Sequence, residues 1–334
     1  MSQQNEQEFM KVRIEKTASL RQKGIDPYPT NYKRTHTSEE AVEAFESAEK
    51  SNKKFDEIIK VAGRIMGRRG MGKASFIDLS DTDGRIQIIM RSNVLNERYE
   101  ILDDLDIGDW IGAEGTLFRT RTGQITLQVE SFSILCKSLR PLPEKWHGLT
   151  DLETRFRQRY LDLISNEDAV KTAKKRSLLV SSIRQFMSNR GFIEVETPML
   201  VPIAAGGMAH PFTTHHNALN RDLFLRIATE LHLKRLIVGG IERVFEIGRV
   251  FRNEGVDLQH NPEFTTMESY EAFSDYNDVM EMVEQLVSTA AKTLNGSETV
   301  IYGDEELKFS PPWPRIDLRE KIIEVSGIDF FEHS

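Results

Sequence analysis

The chain has 334 residues, enough for about two domains with buried cores. Apolar residues make up 39% and charged residues 29% of it, which excludes collagen-like, low-complexity and fully disordered chains. The net charge of −8 argues against a surface built entirely for nucleic acid. A single cysteine, Cys136, cannot form an internal disulfide, and no apolar run is long enough to span a membrane. We therefore expect a cytoplasmic protein without a membrane partner.

Residues 1–57 are expected to form a helical extension. A polar, helix-prone stretch from Glu6 to Lys23 ends at Gly24, a residue that commonly follows the last turn of a helix. Further on, Thr37-Ser38-Glu39-Glu40 has the pattern of a capping box and predicts the start of a second helix.

Residues 58–140 change to short strands separated by turn residues. Five apolar runs alternate with polar positions, and a helical stretch near 93–105 separates the third run from the fourth. This order is expected of an OB-fold β-barrel. The strands are predicted near 59–65, 75–79, 85–89, 111–117 and 125–134.

The barrel segment is locally basic. Between Lys60 and Arg91 it carries seven basic residues (Lys60, Arg64, Arg68, Arg69, Lys73, Arg85, Arg91) against three acidic ones (Asp78, Asp81, Asp83). This excess is compatible with RNA docking at one end of the chain, and a solvated charged surface would show it equally.

Gly67 to Lys73 has the spacing of a phosphate-binding loop. However, Ala74 stands where a Ser or Thr would bind Mg²⁺, and a predicted strand follows where the motif needs a helix. We therefore interpret the segment as a glycine-rich hairpin with basic side chains.

Residues 141–165 are predicted to be a linker or hinge, marked by Pro141 and Pro143, and residues 166–334 to be a second domain. Leu179, Ile183, Phe186 and Met187 share one face of a predicted helix that ends before Gly191. Strands near 192–195, 243–251 and 263–273 and a helix over 275–291 are expected to follow.

The two later strands carry an unusual set of side chains. Alternate residues of a strand share a face, so Glu246, Gly248, Val250, Arg252 and Glu254 are predicted to face one way, as are Phe264, Thr266, Glu268 and Tyr270. If the strands pair antiparallel, one surface presents an arginine, acidic groups, an aromatic ring and a phenol. Such a surface fits a charged ligand, and a salt-bridged outer sheet face would fit the same alternation.

Five segments carry a resemblance to class II aminoacyl-tRNA synthetases of the lysine subfamily, bacterial type. FRNEG at 251–255 followed by HNPEFTTMESYEAF resembles motif 2, and GFIEVETPML at 191–200 resembles motif 1. RQRYLDLI at 157–164 resembles the hinge after the barrel, and LRIATELHLKRLIVGG at 225–240 resembles an active-site strand and helix. The resemblance implies an α+β multidomain fold: an N-terminal OB-fold β-barrel that binds the anticodon, then part of the synthetase antiparallel sheet flanked by helices.

The resemblance also implies roles for particular residues. Arg252 is similar to the catalytic arginine that holds the α-phosphate and the substrate carboxylate. Glu254, His260 and Phe264 are similar to residues that bind ATP, and Gly206, Glu230, Glu268 and Tyr270 to residues that bind lysine. In the barrel, Arg69, Phe76, Gln87 and Glu130 are similar to residues that contact the anticodon. The sequence leaves open whether Phe76 faces the barrel core or its outside.

A lysine–tRNA ligase activity follows from the resemblance, with ATP, L-lysine and tRNA-Lys as substrates, Mg²⁺ as the expected ion and a homodimer as the expected assembly. No metal ligand is assigned, because the family's acidic Mg²⁺ ligands and its motif 3 have no counterpart up to Ser334. We therefore expect an N-terminal fragment whose own turnover is impaired. The alternatives are a non-catalytic anticodon-binding protein and an aspartyl- or asparaginyl-tRNA synthetase.

Overall fold

The computed structural model describes residues 3–143, 149–257 and 259–332. The chain divides into two compact units, Met1–Val170 and Lys171–Ser334. Part of the predicted linker, residues 144–148, lies outside the described residues, as do the two residues at each end of the chain.

The first unit begins with two helices, α1 (Gln3–Gln22) and α2 (Ser38–Lys50). The predicted capping box is confirmed: the Thr37 hydroxyl accepts from the Glu40 N–H, and the Glu40 carboxylate accepts from the Thr37 N–H. This reciprocal pair satisfies two N–H groups that the first turn of a helix otherwise leaves free.

The predicted OB-fold barrel is confirmed. Five strands close in the order β1-β2-β3-β5-β4, with β3 and β5 parallel and the other pairs antiparallel. Side chains alternate along each strand, and the inward set forms a continuous apolar core. The elements are β1 (Ile59–Met71), β2 (Ala74–Ser80), β3 (Arg85–Arg91), α3 (Ser92–Leu95), a 3-10 helix (Asn96–Asp104), β4 (Trp110–Arg119) and β5 (Ile125–Cys136).

The glycine-rich segment forms the hairpin that the sequence predicts. Strand β1 runs through to Met71, which pairs with Ala74 on β2. Gly72 makes the turn with a φ of +59°, a conformation that glycine adopts without steric cost. A strand, not a helix, follows Lys73.

The helices α4 (Leu152–Arg157), α5 (Arg159–Ser165) and α6 (Glu167–Asn189) follow the barrel. Met187 is fully buried, with Ile183 and Phe186 packed beside it, so these three residues of the predicted apolar face are confirmed. Its core partners are Phe192, Phe245 and Met282.

The second unit contains three small sheets among its described residues, with strand orders β11-β10-β6, β7-β9-β8 and β12-β13. The α+β class with an antiparallel sheet and helices is confirmed, and the short strand β6 adds parallel to β10 at the edge of that sheet. The elements are β6 (Ile193–Glu194), β7 (Leu200–Val201), β8 (Thr213–His216), a 3-10 helix (Asn217–Leu219), β9 (Arg221–Leu225), α7 (Glu230–Val238), β10 (Arg243–Phe251), β11 (Glu263–Glu271), α8 (Tyr276–Asn295), β12 (Thr299–Tyr302), β13 (Glu305–Lys308) and α9 (Leu318–Ser326). Across the described part of the chain, we find no helix that could cross a membrane.

Candidate functional site

The strands β10 and β11 pair antiparallel over their whole length, as the sequence predicts. Glu246 lies opposite Glu268, Gly248 opposite Thr266, and Val250 opposite Phe264. Directly opposed residues share a face of the sheet. The predicted polar face is therefore confirmed, and we call these six residues with Tyr270 the β10–β11 face.

Two carboxylates and a phenol converge at one end of this face. Thr229, at the N-terminus of α7, donates its backbone N–H to Glu268 Oε1 at 3.2 Å. Burial, and then the negative charges of Glu230 and Glu268, raise the pKa of Tyr270 to about 12. Because its pKa is so high, Tyr270 keeps its proton at neutral pH. The structure thus brings together Glu230, Glu268 and Tyr270, all predicted lysine contacts.

Gly206 lies against the same end of the site. Its φ is +94°, and a Cβ at this position would lie 2.8 Å from Ala228 Cβ and 3.7 Å from Glu230 Oε2. Only glycine combines this backbone conformation with such close approach. Gly206 therefore places the backbone of its loop beside the Glu230 carboxylate.

A lysine of the chain itself also reaches this end of the site. Lys234, one helical turn after Glu230 on α7, places its ammonium 2.5 Å from Glu230 Oε1. The same ammonium lies 5.7 Å from the centre of the Tyr270 ring, within reach of a cation–π contact.

Arg252 and Phe264 form a pair at the other end of the face. The guanidinium carbon of Arg252 lies 5.2 Å from the Phe264 ring centre. Arg252 donates its backbone N–H to the Pro262 carbonyl, which fixes the base of the loop between the strands. The arrangement presents a planar cation and an aromatic ring side by side, a combination suited to a phosphate next to a nucleobase.

The two other predicted ATP contacts, Glu254 and His260, lie in the loop between β10 and β11. Strand β10 ends at Phe251, so the prediction that Arg252 and Glu254 continue its alternation is wrong. Pro262 has no N–H, so the ladder of hydrogen bonds cannot extend past it. Glu254 is exposed in the loop, and His260 is bonded through Nδ1 to Asp257. Hydrogen bonds from the Gln259 N–H, then from His260, lower the pKa of Asp257.

The sequence did not predict the buried ion pair that Glu246 of this face forms with Arg226. Arg226, 1% exposed, donates from Nη1 to Glu246 Oε1 at 2.6 Å and from Nε to the Arg249 carbonyl at 2.8 Å. Thr197 Oγ1 donates to the second oxygen of Glu246 at 2.6 Å. An arginine between Leu225 and Ile227, in an apolar run, is the signal that would have pointed to a buried partner.

The buried pair of Arg226 and Glu246 is also connected to the end of β10 that precedes Arg252. The Arg226 carbonyl accepts from the Phe251 N–H at 3.0 Å, immediately before Arg252. A Cβ at Gly248 would lie 2.4 Å from Arg226 Nη2, so glycine lets the guanidinium lie against β10. Among the described residues, three buried side-chain atoms have no hydrogen-bond partner, and all lie on these segments: Arg226 Nη2, Thr229 Oγ1 and Thr266 Oγ1.

The barrel carries a second candidate site on its outer face. Ser75, Ile77 and Leu79 point inward from β2, so Phe76 and Asp78 point outward, which settles the side on which Phe76 lies. Phe76 lies opposite Arg69 on β1, and Asp78 lies opposite Gln87 on β3.

Three of the predicted RNA contacts therefore share this outer face. Arg69 Nη2 lies 3.1 Å from Asp78 Oδ1, and Gln87 Oε1 accepts from Thr126 Oγ1 at 2.9 Å. The fourth, Glu130, is exposed at a β-bulge, between Val129 opposite Gly115 and Ser131 opposite Glu114. An aromatic ring flanked by polar and charged side chains is the arrangement that stacks an unpaired base.

Within the ranges that the structure describes, no group of three or more His, Cys, Asp or Glu side chains converges on a point where a metal ion could bind. We assign no residue of this chain to Mg²⁺. The ion itself remains a prediction from the resemblance.

Comparison with known proteins matches two segments of the chain to known families. Residues 59–135 match a tRNA anticodon family described as an OB-fold nucleic acid binding domain. Residues 151–332 match the family described as tRNA synthetases class II (D, K and N), and the chain belongs to that family.

Individual relatives give a more specific comparison than the two families. The chain is similar to proteins named lysine–tRNA ligase: 55% identical to one from Dehalococcoides mccartyi over 321 residues, and 50% identical to one from Carboxydothermus hydrogenoformans over 331 residues. The first alignment covers 96% of this chain and 64% of the relative, and the second covers 99% and 67%. A lysine–tRNA ligase from Oceanobacillus iheyensis is 46% identical over 327 residues, 97% of this chain and 66% of the relative. The chain thus spans about two thirds of the length of these relatives.

Proposed function

We propose that this chain binds L-lysine and ATP at the β10–β11 face and the anticodon of tRNA-Lys at the outer face of the barrel, as part of a cytoplasmic lysine–tRNA ligase. The observation that carries the lysine assignment is the convergence of the Glu230 and Glu268 carboxylates around Tyr270. The relatives named lysine–tRNA ligase support the same assignment.

The charge of the pocket favours lysine over the other substrates of the family. The Glu230 carboxylate is suited to the α-ammonium group, and Glu268 with the Tyr270 hydroxyl to the ε-ammonium group. The carboxylate of an aspartate side chain would be repelled by Glu268. An asparagine side chain is uncharged, so it would leave the carboxylate of Glu268 without a cationic partner.

The reaction we propose has two steps. The carboxylate of lysine attacks the α-phosphorus of ATP, and pyrophosphate leaves. A terminal hydroxyl of the tRNA then attacks the acyl carbon, and AMP leaves. Arg252 holds the two negatively charged reactants together, and Phe264 orients the adenine ring, so the chain contributes chiefly positioning and charge stabilisation. Mg²⁺ would supply charge neutralisation on the phosphates in the whole enzyme, which we propose is a homodimer.

Titration calorimetry of the chain with free amino acids tests the lysine assignment. We expect saturable binding of L-lysine and no saturable binding of L-aspartate or L-asparagine at the same concentrations. Binding of either of the last two as tight as that of lysine would contradict the assignment and favour an aspartyl or asparaginyl substrate.

Replacing Phe76 by Ala is expected to weaken binding of a tRNA-Lys anticodon stem-loop about 5- to 150-fold, because one base–aromatic stack contributes about 1–3 kcal/mol. Fluorescence titration at a fixed salt concentration measures the change. Phe9→Ala, which removes a half-exposed ring from α1, is the control and should bind like the parent. Equal affinity of Phe76→Ala and the parent would refute the anticodon site.

A further inference from the structure

Lys234 occupies the position where the proposed function places a substrate ammonium group. Its Nζ lies 2.5 Å from Glu230 Oε1 and 5.7 Å from the Tyr270 ring centre, so two of the proposed lysine contacts already hold a lysine side chain. We propose that Lys234 is an internal stand-in for the substrate: it neutralises Glu230 in the free protein and is displaced by the α-ammonium group of the incoming amino acid. This inference rests on the proposed function.

The position of Lys234 on α7 means that its displacement from Glu230 costs little free energy. Residues four apart lie on the same side of a helix, so Lys234 reaches Glu230 without any distortion of the backbone. The Lys234 side chain is 53% exposed and that of Glu230 is 32% exposed. A pair exposed to this degree is held weakly, because water screens it and both side chains lose freedom in forming it. Lys234 can therefore swing into solvent when a competing cation arrives.

The charges in the pocket explain why a cation beside Glu230 stabilises the free protein. Glu230 and Glu268 both face Tyr270, and without a cation the two carboxylates would repel each other across the pocket. Lys234 supplies one positive charge beside Glu230. A ligand without an ammonium group at this point leaves Lys234 in place, whereas an α-amino acid replaces it. Lys234 therefore raises the concentration of lysine needed for binding, and it lowers the advantage of lysine over ligands that lack the α-ammonium group.

The test is the dissociation constant of L-lysine for the parent and for Lys234→Met, measured by calorimetry. Since the substitution removes an exposed competing ion pair, we expect lysine to bind about two- to fivefold more tightly to Lys234→Met. 6-Aminohexanoate, which lacks the α-ammonium group, should gain less than lysine. Lys234→Arg keeps the cation and should bind lysine like the parent.

Lys50→Met is the matched control, because Lys50 pairs with Glu46 at the same helical spacing in the other unit. It should leave lysine binding unchanged. Weaker or unchanged lysine binding by Lys234→Met, with the parent binding lysine, would overturn this inference alone. Equal gains for lysine and 6-aminohexanoate would also overturn it, by showing a general charge effect. If neither the parent nor Lys234→Met binds lysine, the proposed function fails as well.

Discussion

Replacing Arg226 by Met is expected to lower the free energy of unfolding of the second unit by about 3–5 kcal/mol, because it leaves the Glu246 carboxylate buried without its cation. Only the hydroxyl and the backbone N–H of Thr197 would remain to donate hydrogen bonds to the Glu246 carboxylate. Hydrogen exchange of the β10 amides measures the loss, and it reports on this unit separately, whereas one global unfolding curve mixes two compact units.

Arg249→Met is the matched control. Arg249 is on the same strand, but its partner Glu263 is 3.5 Å away and both side chains are about half exposed, so we expect a loss of at most about 1 kcal/mol. A double replacement, Arg226→Met with Glu246→Leu, should recover part of the stability because no buried charge is left unpaired. Equal exchange rates in Arg226→Met and Arg249→Met would contradict the assigned role of the pair.

The second large effect, a loss of affinity for L-lysine, is expected from Glu268→Gln. The change is almost isosteric and can keep the hydrogen bond from the Thr229 N–H, but it removes the charge proposed to bind the ε-ammonium group. A hydrogen bond to a charged group contributes about 1.5–3 kcal/mol, so the dissociation constant of L-lysine should rise about 10- to 100-fold. Calorimetry under the conditions used for the parent gives the value.

Glu263→Gln provides the comparison for this variant. Glu263 is on β11 too, but the alternation of the strand turns it away from the β10–β11 face. The variant should bind lysine like the parent. If Glu268→Gln also binds lysine like the parent, then Glu268 does not read the ε-ammonium group and the specificity argument fails.

The fold was largely predictable because its main elements have simple periodicities. The strands around Glu246 and Glu268 alternate clearly, and a loop of the right length connects them, so their pairing could be predicted. The Thr37 capping box and the barrel strands rest on similarly local signals. The order β1-β2-β3-β5-β4 followed only from the OB-fold hypothesis, since the parallel contact of β3 with β5 joins segments that lie far apart in the chain.

The parts of the site that escaped prediction depend on contacts between distant segments. Arg226 and Glu246 lie 20 residues apart and meet only after β9 and β10 have packed, so neither reveals the other in the sequence. The end of β10 at Phe251 was predicted correctly, but the alternation was wrongly extended past it to Arg252 and Glu254, although Pro262 limits the ladder on the partner strand. The contact of Lys234 with Glu230 could have been predicted, because the two residues are four positions apart on a predicted helix.

A crystal structure of the chain grown with L-lysine tests the central claim most directly. We expect the α-ammonium group to lie within about 3 Å of the Glu230 carboxylate, and the ε-ammonium group at the same distance from Glu268 and the Tyr270 hydroxyl. Lysine bound in the reverse orientation, or at a site that does not include Glu268 and Tyr270, would contradict the claim that the β10–β11 face selects lysine.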